Sequence, residues 1–161
     1  MSQRESECFG GRRREGRDWF GLVEFGFFLI LIGTIFLVTP NFFSRAENFI
    51  KDFTVKEIYP SANIFLPAPE HEHLSAYQTI MYFCFAFGLF ELFILILRFA
   101  IKSPIDKKAG TLGGIVFWLG AGIFANTLAT GGSYYWFFFL GGLIVSIGLS
   151  IMARALATMF R

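Results

Sequence analysis

The chain has 161 residues, of which 55% are hydrophobic and only 16% are charged. A soluble domain carries about 25% charged residues, and its interior could not bury the apolar surface of 23 Phe at this length. The aromatic content excludes intrinsic disorder, and a count of two cysteines excludes a disulfide scaffold. With a mean hydropathy of +0.57, the composition predicts a polytopic membrane protein.

Four long apolar runs predict the membrane-spanning segments. They lie at residues 21–39, 77–97, 112–130 and 134–153. Each run has about 20 residues, which at about 1.5 Å per residue spans the ~30 Å hydrocarbon layer. All five prolines lie between the runs. The sequence therefore predicts an all-α membrane protein with four transmembrane helices.

The basic residues predict the orientation of these helices. Five of the 14 precede the first run, four join the second to the third, two follow the fourth, and three lie between the first and second. By the positive-inside rule, both termini face the cytoplasm and the protein is a multi-pass protein of the cell membrane. The predicted units are a basic cytoplasmic tail over residues 1–17 and a four-helix transmembrane domain over 18–161, with an outer loop at 40–75.

The first part of the outer loop has the pattern of an amphipathic helix. Ser44 and Glu47 have the spacing of a capping box, and apolar residues follow at helical spacing. These features predict a short helix over residues 44–53. It is expected to lie on the outer bilayer surface or to cap the bundle, with Phe49 and Phe53 against lipid or the bundle mouth.

The second part of the outer loop has signals for a hairpin and a helix start. Residues 54–59 and 63–66 are short, partly β-branched segments that could pair, and Pro69 followed by acidic residues indicates the start of the second helix. His71 and His73 would then point about 200° apart on that helix and could not share one metal ion. An extended segment would place both on one side, but two histidines alone are a poor site. The sequence therefore predicts no metal ligands.

Glu24 and Glu91 are the only carboxylates inside the apolar runs. An ionisable group in hydrocarbon costs several kcal/mol, so both are expected to turn inward at a depth of about 10 Å from the inner interface. The predicted intramembrane polar cluster comprises Glu24, Glu91, Arg98, Trp118, Ser150 and Arg154. A structural cluster that fixes helix packing is favoured, and a proton or cation site is the alternative.

Small residues recur at helix-packing spacing in the last two runs. Two stripes with a spacing of four residues contain Gly110, Gly114, Trp118, Gly122 and Asn126, and Gly142, Ser146 and Ser150. Such stripes allow close approach of helix backbones. Packing within the bundle is favoured, and contact with a second copy or with another membrane protein is the alternative.

No reaction motif accompanies these features. The sequence has no phosphate-binding loop, no H-E-x-x-H, no G-x-S-x-G and no C-x-x-C, and its basic residues follow membrane topology and not a nucleic-acid-binding face. We therefore predict no catalytic residues, no cofactor and no nucleic-acid partner. The bilayer itself is the predicted environment.

Three segments carry a resemblance to a known group of proteins. They are DWFGLVEFGFFLILIGTIFLVTPN after the basic tail, NIFLPAP in the outer loop and IVFWLGAG in the third run. The pattern resembles uncharacterised four-helix integral membrane proteins of archaea, which implies the same architecture and transfers no activity. The leading hypothesis is a small non-enzymatic structural, accessory or assembly subunit. The alternative is a small proton- or cation-linked transporter that uses Glu24 and Glu91.

Overall fold

The computed structural model describes residues 19–39, 41–59 and 64–159, so the predicted basic tail and Cys8 lie outside the described residues. The described part is mostly helical, with a two-stranded sheet. Its elements are α1 (Trp19–Val38), α2 (Phe42–Lys51), β1 (Phe53–Tyr59), β2 (Ile64–Pro69), α3 (Leu74–Ala100), α4 (Ile105–Gly131) and α5 (Trp136–Met159). A 3-10 turn at Gly132–Tyr135 joins α4 to α5.

Three stretches among the described residues are long and apolar enough to cross a membrane. They are Trp19–Val38, Leu74–Ala100 and the 55-residue stretch Ile105–Met159, which contains both α4 and α5. Length and hydropathy thus agree with a multi-pass membrane protein. Each of the four apolar runs in the sequence coincides with one long helix, except that the first run passes the end of α1 by one residue and the fourth begins two residues before α5.

Helices α3 and α4 pack against each other in antiparallel directions. A Cβ atom on Gly88 would lie 2.7 Å from the Leu119 side chain, and one on Gly122 would lie 3.0 Å from the Phe85 ring. From Gly88 to Phe85 on α3, the residue numbers fall. The residues that they contact on α4 rise from Leu119 to Gly122, so the two helices are antiparallel. Glycine at both positions lets a large side chain of the neighbouring helix fill the space.

Helices α4 and α5 form a second antiparallel pair through small residues. A Cβ on Gly120 would lie 2.6 Å from Ser146 Oγ, and one on Gly113 would lie 3.1 Å from the Ser150 carbonyl oxygen. Ser146 is fully buried, and its hydroxyl donates to the carbonyl of Gly142, so its hydrogen bond is made within α5. The predicted small-residue stripe on α5 thus packs inside the bundle.

Helix α1 is attached much more loosely than the other long helices. None of its residues is buried. It runs along α3 through aromatic contacts: Phe27 stacks on Phe90 with 3.7 Å between ring centroids, and Phe28 packs edge-on against Phe83 at 5.8 Å. Other apolar side chains of this helix, such as Leu22, Phe25 and Leu29, are more than half exposed, as they would be toward lipid.

Helix α2 begins and ends two residues before the predicted segment 44–53. The capping box does not form, because Asn41 precedes the helix with φ of 56° and Ser44 lies inside its first turn. The Phe49 ring packs on Trp136, with 6.1 Å between the ring centroids. Phe53, which is the first residue of β1, also packs on Trp136, with 5.4 Å between the ring centroids. Both rings therefore lie on the bundle core.

The predicted hairpin is confirmed, and it is longer than the segments that indicated it. Strand β1 pairs antiparallel with β2, from Phe53 opposite Pro69 to Tyr59 opposite Ile64. The sheet is held on the bundle by Trp136, whose Nε1 donates to the Pro67 carbonyl at 3.3 Å. We call this end of the molecule, with α2, the sheet and the turn at Gly132–Tyr135, the sheet end.

The predicted helix start at Pro69 is wrong. Pro69 is the last residue of β2, and α3 begins only at Leu74. Residues 70–73 are not helical, because the Glu70 backbone N–H donates to the Asp52 carbonyl at 3.1 Å and continues the sheet contact beyond the strand. The opposite end of the bundle, where residues 101–104 connect α3 to α4, is called the turn end.

Candidate functional site

Glu24 and Glu91 line one cavity at the turn end. Its volume is about 220 Å³, and α1, α3 and α4 each contribute to it. The lining consists of Glu24, Glu91, Arg98, Lys107, Gly110 and Thr111. Two carboxylates therefore face two cationic side chains in one polar space between apolar helices.

Glu24 is paired with Arg98 across the interface between α1 and α3. Arg98 Nη2 donates to Glu24 Oε1 at 3.1 Å, and the side chains are 4% and 24% exposed, respectively. The Arg98 guanidinium also lies 5.4 Å from the centroid of the Phe20 ring. Because a charge-assisted hydrogen bond is strong where water is scarce, this pair helps to attach α1 to α3.

Glu91 is the more deeply buried carboxylate, with 9% of its surface exposed. Its Oε2 atom has no hydrogen-bond partner among the described residues. The carboxylate lies directly against Gly114 of α4, and a Cβ atom at Gly114 would overlap it. The absence of a side chain at Gly114 therefore makes room for the Glu91 carboxylate between α3 and α4.

The other predicted members of the polar cluster lie elsewhere. Trp118 packs edge-on against Phe83 and Phe87, with ring centroids 5.5 and 4.9 Å away. Ser150 and the Arg154 Cβ lie on Gly113, at the interface of α4 and α5. These three side chains are not part of the cavity lining in the described structure.

Sequence reasoning missed Lys107 and Thr111. Lys107 precedes the third apolar run, and hydropathy gave no sign that the helix extends there, although α4 begins at Ile105. The spacing of four residues between Lys107 and Thr111 could have indicated one helical face, and the Thr111 hydroxyl does donate to the Lys107 carbonyl at 3.2 Å.

A second polar cluster lies at the sheet end. His71 Nδ1 lies 2.5 Å from Asp52 Oδ1, and His73 Nε2 lies 2.9 Å from Asp52 Oδ2. The His71 backbone N–H donates to Oδ2 at 2.8 Å. The hydrogen bond with the His71 side chain holds the pKa of Asp52 well below its usual range. The non-helical segment 70–73 thus brings both histidines to one carboxylate.

The two clusters differ in what they can do chemically. The turn-end cavity can hold helices together through compensated charges, or hold a proton or small cation between two acids. The sheet-end cluster offers imidazole nitrogens and carboxylate oxygens, with the His71 side chain exposed and those of Asp52 and His73 mostly covered. Comparison of the chain with protein-family models, with curated proteins and with solved structures finds no match.

Proposed function

We propose that this chain is a small non-enzymatic integral membrane protein that serves as a structural, accessory or assembly subunit in the cell membrane. Four crossings by α1, α3, α4 and α5, with both termini cytoplasmic, follow from the distribution of basic residues and from the antiparallel order of the helices. The sheet end is then on the outside, and the turn end lies in the inner leaflet. The resemblance to archaeal four-helix membrane proteins is part of the same proposal.

The observation that carries this proposal is the pairing of Glu24 with Arg98. An acid paired with a buried arginine has its charge compensated, and the bond joins two helices that also meet through ring contacts. The other half of the bundle, toward the sheet end, is filled by apolar packing that includes Tyr77, Leu128 and Phe139. Such an arrangement supports helix assembly better than passage of an ion.

The loosely held α1 is the surface through which an accessory subunit would meet its partner. Leu22, Phe25 and Leu29 are each more than half exposed on α1. A photoreactive amino acid at Phe25 or Leu29, irradiated in native membranes, should give a discrete cross-linked protein band. The same amino acid at Ile144 or Ile151, which are even more exposed on α5, should give none.

Identical cross-linking from α1 and α5, or from neither helix, would contradict an accessory role mediated by α1. If only the positions on α1 give a cross-linked band, mass spectrometry of that band identifies the partner as another protein or as a second copy of this chain. Because both helices have exposed apolar side chains in the same membrane, the comparison separates a specific contact from random collision.

A second function, proton- or cation-linked transport, is favoured by one observation. The turn-end cavity reaches both carboxylates, and Glu91 Oε2 has no hydrogen-bond donor among the described residues. Substitution Glu91→Gln keeps the size of the side chain and removes the group that carries a proton. For a transporter, this variant should fold normally and lose a pH-gradient-driven flux into proteoliposomes that the unmodified chain supports.

For a structural subunit, neither the unmodified chain nor Glu91→Gln should show such a flux. Glu47→Gln is the matched control, because Glu47 is an exposed acid paired with Lys51 in α2, far from the cavity. A flux that the Glu91 variant abolishes and the Glu47 variant retains would replace the structural proposal with transport.

A further inference from the structure

The cluster at the sheet end has no role in the proposed subunit or transport functions. We propose that Asp52, Glu70 and His71 form a binding site for a divalent transition-metal ion, and that zinc is the ion that fits it best. The site joins the end of α2 to the segment that leads into α3.

The positions of the donor atoms support this proposal. One ligand atom from each of the three residues lies within 4.8 Å of the other two. Zinc bonds to nitrogen and oxygen of about 2.0–2.2 Å place tetrahedral ligands roughly 3.3–3.6 Å apart. Side-chain adjustments of about an ångström therefore bring the three atoms to coordinating distance, and the exposed side chains of Glu70 and His71 have room to make them.

The backbone holds the three residues together before any ion binds. The Glu70 N–H donates to the Asp52 carbonyl at 3.1 Å, and the His71 N–H donates to Asp52 Oδ2 at 2.8 Å. These two bonds connect residues that are 18 and 19 positions apart in the sequence. The geometric objection to a metal site, that a helix would separate the histidines, does not apply to residues 70–73.

His73 holds the Asp52 carboxylate in position by a hydrogen bond. Its Nε2 lies 2.9 Å from Asp52 Oδ2, its side chain is 21% exposed, and its ring packs edge-on against Phe49. Metal-binding carboxylates are commonly oriented by such a neighbouring hydrogen-bonding group. His73 is therefore a positioning residue that fixes Asp52, whereas the His71 side chain is 76% exposed and can be reached by an incoming ion.

The donor set selects the class of ion. One imidazole nitrogen with two carboxylates suits zinc and the neighbouring transition metals, whereas magnesium prefers oxygen ligands and retains its waters. Three protein ligands leave a fourth tetrahedral position for water. Binding would link α2 and the sheet to α3, so the ion should stabilise the sheet end.

The test uses the full-length chain in detergent after removal of any affinity tag. Zinc chloride is titrated in competition with a chelator, and bound zinc is counted by mass spectrometry while the unfolding temperature is recorded. We expect one zinc per chain, a higher unfolding temperature with zinc and no such effect with magnesium. His71→Ala and Glu70→Gln should each weaken binding by more than about tenfold, and His73→Ala by about tenfold or somewhat more.

Glu72→Gln is the matched control, since Glu72 is an exposed neighbouring carboxylate whose side chain lies near Gly132 and not in the cluster. It should bind zinc like the unmodified chain. Failure of the unmodified chain to bind zinc would overturn the proposal without reference to any variant. Equal losses in Glu72→Gln and Glu70→Gln, or unchanged affinity in a variant lacking both Glu70 and His71 side chains, would also overturn it.

Discussion

At the scale of single residues, Glu91 depends on the absence of a side chain at Gly114. The carboxylate occupies the position that a Cβ atom would take, whereas a Cβ on Gly110, one turn earlier on α4, would meet nothing within 4 Å. These two glycines therefore form a natural pair for comparison. Both lie on the stripe that sequence analysis identified, but only one is needed for close approach.

Gly114→Ala should lower the free energy of unfolding of the bundle by about 1–3 kcal/mol, because it forces the Glu91 side chain out of a closely packed position. Gly110→Ala should leave it unchanged or raise it by up to about 1 kcal/mol, since alanine favours helix over glycine. Unfolding of both variants by denaturing detergent measures the difference. Equal effects would mean that Glu91 does not require the space at Gly114.

Residue patterns identified Glu24 and Glu91 as partners but did not identify all of their neighbours. Two carboxylates in apolar runs stand out because charge in hydrocarbon is costly, so their inward direction could be predicted. Which cation reaches which acid depends on the rotation of each helix about its axis. Glu24 contacts Arg98, and Glu91 contacts Gly114, on a different helix in each case. Spacing along a single helix therefore does not predict either contact.

At the scale of elements, α1 meets α3 through an ion pair as well as ring contacts, whereas α2 is held by aromatic packing. The hydrogen bond from Arg98 to Glu24 is a polar contact between α3 and α1 within the membrane-length segment of α1. In contrast, Phe49 of α2 meets the rings of Phe53, His73, Tyr77 and Trp136. The two elements should respond differently to substitution.

Glu24→Gln should loosen α1 without unfolding the other helices, because the charge that compensates Arg98 is lost while the α3–α4–α5 contacts are unchanged. Thiol cross-linking between cysteines at positions 28 and 83, in a chain without native cysteines, should slow several-fold. Circular dichroism should show unchanged helix content. An unaltered cross-linking rate would mean that the remaining ring contacts, such as that of Phe27 with Phe90, are sufficient to hold α1.

Phe49→Ala should release α2 and the sheet from the bundle. A loss of about 1–3 kcal/mol is expected, below that of a fully buried Phe, because this ring is only partly buried. Hydrogen exchange of the backbone amides in β1 and β2 should become faster. Phe43→Ala, on the exposed side of the same helix with 75% exposure, should leave the exchange unchanged. Equal acceleration in both variants would contradict docking through Phe49.

The sequence located the long helices well and their ends poorly. Length and hydropathy are properties of single segments, so each run matches one long helix to within two residues at the ends where it extends beyond that helix. The ends of helices depend on contacts between segments. Helix α3 begins at Leu74 because the sheet continues through Pro69. Helix α4 begins at Ile105, although its first turns are too polar to belong to an apolar run. The sequence predicted that this segment forms a hairpin, but it did not predict that the hairpin packs on Trp136.

At the scale of the whole molecule, the antiparallel helices place the sheet and the turn between α3 and α4 at opposite ends. The proposed orientation puts the sheet end outside. A single cysteine at Ser61 should then react with a membrane-impermeant thiol reagent added to intact cells, and one at Ser103 should react only after lysis. Native Cys8 and Cys84 are replaced in both variants. The reverse pattern would invert the proposed topology and place the zinc site in the cytoplasm.

The loose attachment of α1 also has a consequence for biogenesis. Arg98 lies 74 residues after Glu24, so the ribosome must add the whole of α2, the hairpin and α3 before the two side chains can meet. At about 5–20 residues per second, this takes roughly 4–15 s. During that interval, Glu24 has no Arg98 in the nascent chain, so the helix that is made first cannot form its ion pair until most of α3 has been made. Insertion machinery that retains α1 until α3 arrives would therefore set the order of assembly.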